Sequence, residues 1–355
     1  MKTKQAAKGM SMLDLAGLQP NFQRTCRVPE GKDNSLPAGL GPFPIYRASD
    51  FRSGTPKKWK PSDFFTPMYR QEAMWINFPQ RNQKNPYALV VAAGSINAVT
   101  GEQIKVVNGD LEARLEKDQN YLVVPPQPRI DGWKDGENGR VYQFVAAQMG
   151  SGQTIEGQIT GKEKIGGIQL IAYAPRKGIN LKIQNTPHDH ALGVASLGMD
   201  DPVEDIVAGG MGIDDNDDMI YGSEELCLMS FQEHIPVSHA LKSFAPPSAH
   251  RLVGARSGTR GIVSMGLGRG GEITQKIYPD GYGYSVWHKN PIARAMVNLI
   301  SPEDFRQITG TNPPETPVTF ERYQQLGIPW FELGDKKYKD TTGSDIFGKL
   351  KSLHD

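Results

Sequence analysis

Cysteine is scarce in this chain. Cys26 and Cys227 are the only two in 355 residues, 201 positions apart, with no CxxC pair and no metal-ligand spacing. That excludes a disulfide framework and a zinc-finger-like site, and so sparse a usage fits a reducing compartment. Long apolar runs are missing too. No stretch approaches the ~20 consecutive apolar residues that a membrane-spanning helix needs. The first twenty residues, MKTKQAAKGMSMLDLAGLQP, carry lysines but no apolar core and no small-residue cleavage site, so no secretory leader is expected. The expected address is cytoplasmic, with no membrane partner. An excess of charge of one sign is also lacking: the formal net charge is +1. A protein that coats nucleic acid carries a strong basic excess because phosphate contacts dominate its affinity, so no nucleic-acid partner is expected. Nucleophile and phosphate-loop signatures fail. No G-x-S-x-G or G-x-x-x-x-G-K-[ST] occurs; around Ser257 the residues read Ala255-Arg256-Ser257-Gly258-Thr259.

What is plentiful is glycine and proline, 39 and 26 residues, together about 18% of the chain against a usual ~12%. No Gly-X-Y period accompanies them. They punctuate short apolar segments, as a many-turned β protein requires. Tyr87–Ala93 is a continuous apolar run, as a buried strand would be. Met68–Phe78, Tyr121–Val124, Val141–Gln148, Ile168–Tyr173 and Ile179–Gln184 read as strands, and Asn108-Gly109 as a hairpin turn. Gln153–Thr160 alternates cleanly and reads as another strand. Ile262–Leu267, Glu272–Tyr278 and Tyr284–Trp287 look like closing strands. Then the period changes: Ile292–Leu299 is apolar at helical spacing. Ser301-Pro302-Glu303-Asp304 has the cap, the proline and the first-turn acids of a helix start. Thr319 caps a second short helix through Leu326, and Ser344–Leu353 carries an apolar stripe for a third. The expected fold is mainly β, a sandwich or barrel-like body of about 10–14 strands with two or three short C-terminal helices.

Five regions follow from composition. Residues 1–60 hold 11 Lys/Arg against 4 Asp/Glu, a net +7, and five prolines between Pro20 and Pro44. They read as a loop-like basic N-terminal arm lying over the body, with a short helix near Met12–Leu18. Residues 61–184 form the first part of the β body. Residues 185–260 are an acidic, His-rich insertion; between Met199 and Glu225 there are ten acidic residues and no Lys or Arg. Residues 261–335 complete the body, and 336–355 form a tail.

Candidate chemistry concentrates in the insertion. Asp214, Asn216, Asp218 and Glu225 occupy positions 1, 3, 5 and 12 of a twelve-residue stretch, hard oxygen ligands suited to a divalent cation. Met219 stands where a calcium loop of the EF-hand type needs glycine, so that motif is not met. His188 and His190 flank Asp189; on a strand, alternate residues share a face and could hold one metal ion. His234, His239 and His250 follow, so five of the seven histidines lie between 188 and 250. Elsewhere, Gly266–Gly271 matches G-x-G-x-x-G, but the strand-like residues after it favour a hairpin or a bulge over a dinucleotide site. Tyr69, Trp75, Phe78, Tyr142, Phe144, Tyr278, Tyr282, Tyr284 and Trp287 could stack on ligand rings, though such rows more often fill a core.

Several segments resemble an uncharacterised family of hypothetical proteins from bacteria and fungi. They are Met68–Trp75, Pro125–Gly132, Gln143–Gly167, Met265–Pro279, Thr316–Thr319 and Gly327–Phe331. The resemblance implies one continuous module interrupted by a variable insertion at 185–260, and it brings no activity. Two functions are expected from different classes. One is a non-enzymatic binding or self-assembling protein, a homo-oligomer or the holder of a protein partner, in which the opposite charges of arm and insertion meet. The other is a metal-dependent hydrolase built on the His/Asp-rich residues 188–250.

Overall fold

The computed structural model describes residues 11–37, 39–79, 85–136, 139–183, 262, 264–313, 330–331 and 340–353. The protein is mainly β. Eight strands form the path of the main sheet: β1 (Asn21–Thr25), β2 (Ala73–Asn77), β3 (Tyr87–Ala93), β4 (Leu122–Val124), β5 (Arg140–Gln148), β6 (Ile168–Tyr173), β7 (Ser264–Thr274) and β8 (Ala293–Ile300). Their order is β1-β2-β5-β7-β8-β6-β3-β4, antiparallel throughout. Shorter strands join it, two of them in parallel: Phe64–Pro67 beside β8, and Asp33–Asn34 beside β7. No barrel closes, because β1 and β4 do not pair.

One apolar cluster fills the inner face. It takes Phe22 from β1, Met74 and Ile76 from β2, Leu89 and Val91 from β3, and Leu122 and Val124 from β4, together with side chains from every strand between. Both ends of the sheet thus share one core, so the sheet curls around it. Each fully buried Leu, Val or Phe contributes roughly 1.5–3 kcal/mol. The outer face is covered in patches. Tyr121, Ile171, Tyr173 and Trp287 pack with Leu111 and Leu115. Phe65 and Ile300 pack with Phe51, Trp59 and Phe305. Ala73, Val145 and Ala147 receive Leu353 from the C-terminal end of the chain.

Several expectations need correction. Gln153–Thr160 is not a strand: Ile155–Thr160 is the first α-helix, α1. Thr154 Oγ1 caps it by accepting the Gly157 amide at 3.0 Å, and Gly161 ends it. In six residues, apolar positions 155 and 159 satisfy both an i+4 and an alternating pattern. Conversely, Ile292–Leu299 belongs to strand β8. Ala295, Val297 and Leu299 alternate into the inner core, and Ile300 is buried on the opposite face. Tyr284–Val286 is a single 3-10 turn, 179–183 holds no strand, and Met12–Leu18 is a turn closed by a Leu15–Leu18 bridge. Residues 11–60, read as loop-like, contribute β1 to the sheet. Within 344–353 only the turn Phe347–Lys349 is helical. The glycines at 266–271 form no hairpin; they lie inside β7, and Gly270 and Gly271 face the single residue Gln143 across a bulge. A Cβ on Gly271 would sit 2.5 Å from the Pro29 carbonyl oxygen, so the bulge lets two backbones meet.

Other expectations hold. Pro302–Thr309 is α2, capped by Ser301 Oγ, which accepts the Asp304 amide at 3.1 Å. Val106–Val107 pairs with Asp110–Leu111 through Asn108 and Gly109, both at positive φ (52° and 84°), as a tight hairpin turn demands. The Thr319–Leu326 helix lies outside the described residues.

Candidate functional site

The residues singled out for metal binding, His188, His190, Asp214, Asn216, Asp218 and Glu225, all fall within 184–261, outside the described residues. So do His234, His239, His250 and Cys227. Among the described residues no cluster of three His, Cys, Asp or Glu is placed to hold a metal ion. Cys26 is buried, and burial pushes its thiol up to about 12, so it stays protonated and poorly nucleophilic at neutral pH. Most of the aromatic row fills the core: Trp75, Phe78, Tyr142, Phe144, Tyr278 and Trp287 are buried, and Tyr284 alone is exposed.

The described surface with the clearest chemistry is basic. It is built by residues 46–63. Ala48–Phe51 form a 3-10 turn, and the Gly54 and Thr55 amides then donate to the Phe51 carbonyl at 2.9 and 3.1 Å. The Trp59 amide donates to Pro56, and the Lys60 amide to Asp63 Oδ2 at 2.8 Å. Successive turns of this kind bring alternate side chains down onto the sheet. Phe51 and Trp59 are the ones that go down. Their rings lie 5.6 and 5.7 Å from that of Phe65, which in turn lies 6.3 Å from Phe305 of α2. Gly54 is pressed against Ile308, where an added Cβ would come within 3.0 Å of the helix backbone.

The side chains left on top are Arg47, Arg52, Lys57, Lys58 and Lys60, all exposed, with Asp50 the one acid between 47 and 60. Arg47 lies over the Phe64 ring at 4.8 Å. Lys60 pairs with Asp110 at the tip of the 106–111 hairpin. Arg52, Lys57 and Lys58 make no ion pair among the described residues. Beneath them, burial raises the Asp63 carboxyl above its ordinary value, against the lowering pull of the Lys60 amide and charge. The result is a platform pinned to the aromatic cluster, on which three cations have no ion-pair partner among the described residues.

Among the described residues, part of the basic excess of 1–60 is drawn into the fold. Arg24 turns inward to Glu72 at 2.7 Å, and Arg27 donates to the Leu353 carbonyl. Among the described residues of 1–60 the exposed cations are Lys32 and the group Arg47, Arg52, Lys57, Lys58 and Lys60. The signal in the sequence was local: Lys57-Lys58-Trp59-Lys60 between Pro56 and Pro61, an aromatic anchor inside a cationic run.

Next to the platform, across the Lys60–Asp110 pair, lies a depression of about 150 Å³ with Asn97, Glu102, Lys105, Glu112, Arg114 and Glu116 on its walls. Its buried amides are occupied in shaping the loop: Asn97 Nδ2 donates to the Asn120 carbonyl at 2.8 Å, and Asn120 Oδ1 accepts the Glu116 amide at 3.1 Å. Lys105 and Glu112 pair at 3.4 Å. Burial, then the charges of Glu102 and Asp118, push the Glu116 carboxyl up. Basic platform and mixed-charge depression together make one polar flank.

Comparison with known proteins finds no matching family model, no matching curated protein and no matching solved structure.

Proposed function

We propose that the protein is a non-enzymatic binding protein that self-assembles, with the basic platform at 47–60 as its contact surface. The observation that carries this reading is the set of exposed cations held on an aromatic base, three of them without an ion-pair partner among the described residues. Turns already pinned by Phe51 and Trp59 have less loop freedom to lose when a partner arrives, although each long cationic side chain held in the contact still costs ~0.5–1.5 kcal/mol. An acidic partner meets it with complementary charge, and such complementarity speeds and orients encounter more than it adds affinity. Exposed pairs contribute only about 0.2–1 kcal/mol each. Four or five of them therefore give a weak, reversible contact, nearer millimolar than nanomolar. Contact between different surfaces of two copies builds head-to-tail chains or rings rather than closed two-fold dimers.

The test is the mass in solution by light scattering, at ~20 mM and at ~500 mM salt, since screening shortens from well over 10 Å to a few Å across that range. The expected result is association at low salt that weakens at high salt and is lost in Lys57→Glu/Lys58→Glu. A monomeric mass at every salt and protein concentration would sink the assembly reading.

A further inference from the structure

The platform's occupant can be argued from the chain itself. The stretch from Met199 to Glu225 holds ten acidic residues and neither Lys nor Arg, the reverse of the platform's composition. The chain also returns from that region at the right place. Ile262, the first described residue after 184–261, packs against the same Phe51–Trp59–Phe65–Phe305 cluster that carries the platform. Residues 226–261, 36 in number, separate the acidic stretch from that anchor. Thirty-six residues can span at most roughly 120–130 Å, at ~3.3–3.6 Å per residue. That is enough to lay the acidic stretch over 47–60 of its own chain or of a neighbour.

We propose that residues 199–225 of this same sequence are the ligand of the basic platform, their carboxylates meeting Arg52, Lys57, Lys58 and Lys60. This rests on the reading of the platform as a contact surface and names what it contacts. It also explains how a chain with a net charge of +1 carries two strongly charged regions: each sign is the complement of the other. An acidic stretch that satisfied the platform of a second copy would propagate, and one that satisfied its own would not.

Zero-length carbodiimide coupling tests this on the full chain, because it joins a lysine amine to a carboxylate only where the two already touch. An equal mixture of ¹⁴N and ¹⁵N protein is coupled at ~20 mM and ~500 mM salt, and the joined peptides are mapped by mass spectrometry. The expected result is coupling of Lys57, Lys58 or Lys60 to acids between 200 and 225, falling at least about five-fold at high salt as screening sets in. Changing the ten acids to their amides should remove it while leaving the thermal unfolding midpoint within a degree or two, which separates lost contact from lost folding. Joined peptides of mixed isotope would support both this inference and head-to-tail assembly. Joined peptides of one isotope only would support this inference and overturn assembly. Platform lysines that couple only elsewhere, or not at all, would overturn this inference while leaving the light-scattering result to decide assembly by itself.

Discussion

Removal of Asp340 should be among the most damaging single changes in the molecule. Lys134 on the short strand Gly132–Asp135 is fully buried, and its Nζ has three acceptors: Asp340 Oδ2 at 2.8 Å, the Asp135 carbonyl at 3.0 Å, and the Gly136 carbonyl. Asp340, whose side chain is 8% exposed, accepts the Ile277 amide at 3.0 Å and the Gly139 amide at 2.9 Å as well. In Asp340→Ala the ammonium stays buried with carbonyl dipoles but no counter-charge. Such a break costs about 3–5 kcal/mol, a large share of the ~5–15 kcal/mol that holds a domain folded. Lys134→Met should cost less, about 1–3 kcal/mol, since the carboxylate keeps two amide donors and an edge of solvent. The double variant should cost less than the sum of the two, because neither partner is then stranded. The assay is urea unfolding followed by tryptophan fluorescence, comparing midpoints at unchanged slope. An Asp340→Ala variant within ~0.5 kcal/mol of the parent, the size of an ordinary surface substitution, would refute the reasoning. So would a Lys134→Met that proves the worse of the two.

Two further outcomes are expected. In the native protein at pH 8, Cys26 should resist alkylation and become reactive only on unfolding, because burial holds its thiol at about 12; peptide mapping after brief iodoacetamide treatment checks this, and modification at the rate of a free thiol would contradict it. Asp63 carries a raised pKa in the fold, with burial the first cause. Its contribution to stability is thus fully present below the unfolded value near ~4 and is lost as pH rises through the higher folded value. Asp63→Asn keeps the acceptor for the Lys60 amide and lacks that loss, so its unfolding midpoint should gain on the parent's between pH 3.5 and 7. A parent that gains on the variant over that window would show the shift has the opposite sign.

What the sequence reveals of this fold depends on whether a local pattern has one interpretation or two. Tyr87–Ala93 is seven residues long, apolar throughout and bounded by Pro86 and Gly94, too short and too punctuated for a buried helix; it is a strand at its expected limits. Ser301-Pro302 reads correctly because a cap, a proline at the first position and acids in the first turn combine at Ser301–Asp304. Ile292–Leu299 fails because its apolar residues also satisfy a helical spacing, while the strand sends only the alternate set Ala295, Val297 and Leu299 into the inner core. Ile155–Thr160 fails for the opposite reason, since two periodicities coincide over so few residues. The site shows the same limit. The basic excess of 1–60 is visible as a sum, but the sum cannot say that Arg24 turns inward to Glu72 while Lys57 and Lys58 stay in solvent. That partition is decided by which residues anchor to the sheet: Trp59 stands out inside its cationic run, but the cluster it anchors to, through Phe65, includes Phe305, far away in the sequence.

The outer face of the sheet explains why β1, inside residues read as a loop-like arm, goes unrecognised in the sequence. Strand β1 reads Asn21-Phe22-Gln23-Arg24-Thr25, too polar to look like a strand between two packed layers, yet Gln23 and Thr25 are buried. The neighbouring strands carry more of the same: Gln143 on β5, and Arg129, Asp131 and Gln275 beside them, all buried. These side chains meet backbone that the sheet does not reach. Gln143 donates from Nε2 to the Cys26 carbonyl at 2.9 Å and accepts the Val28 amide at 3.0 Å. Gln275 accepts the Asp131 amide at 2.9 Å, and Gln127 accepts the Tyr278 amide at 2.8 Å while donating to the Arg129 carbonyl at 3.0 Å. A buried backbone group left without a partner costs about as much as a lost hydrogen bond. A covering segment with no strand beside it must therefore find its partners in side chains, and a glutamine amide, donor and acceptor in one group, supplies both. Where loops rather than a second sheet cover a face, polar residues on that face mark the path of the covering chain instead of the solvent. Alternation then points the wrong way, and a strand such as β1 is overlooked because two of its three buried side chains are polar.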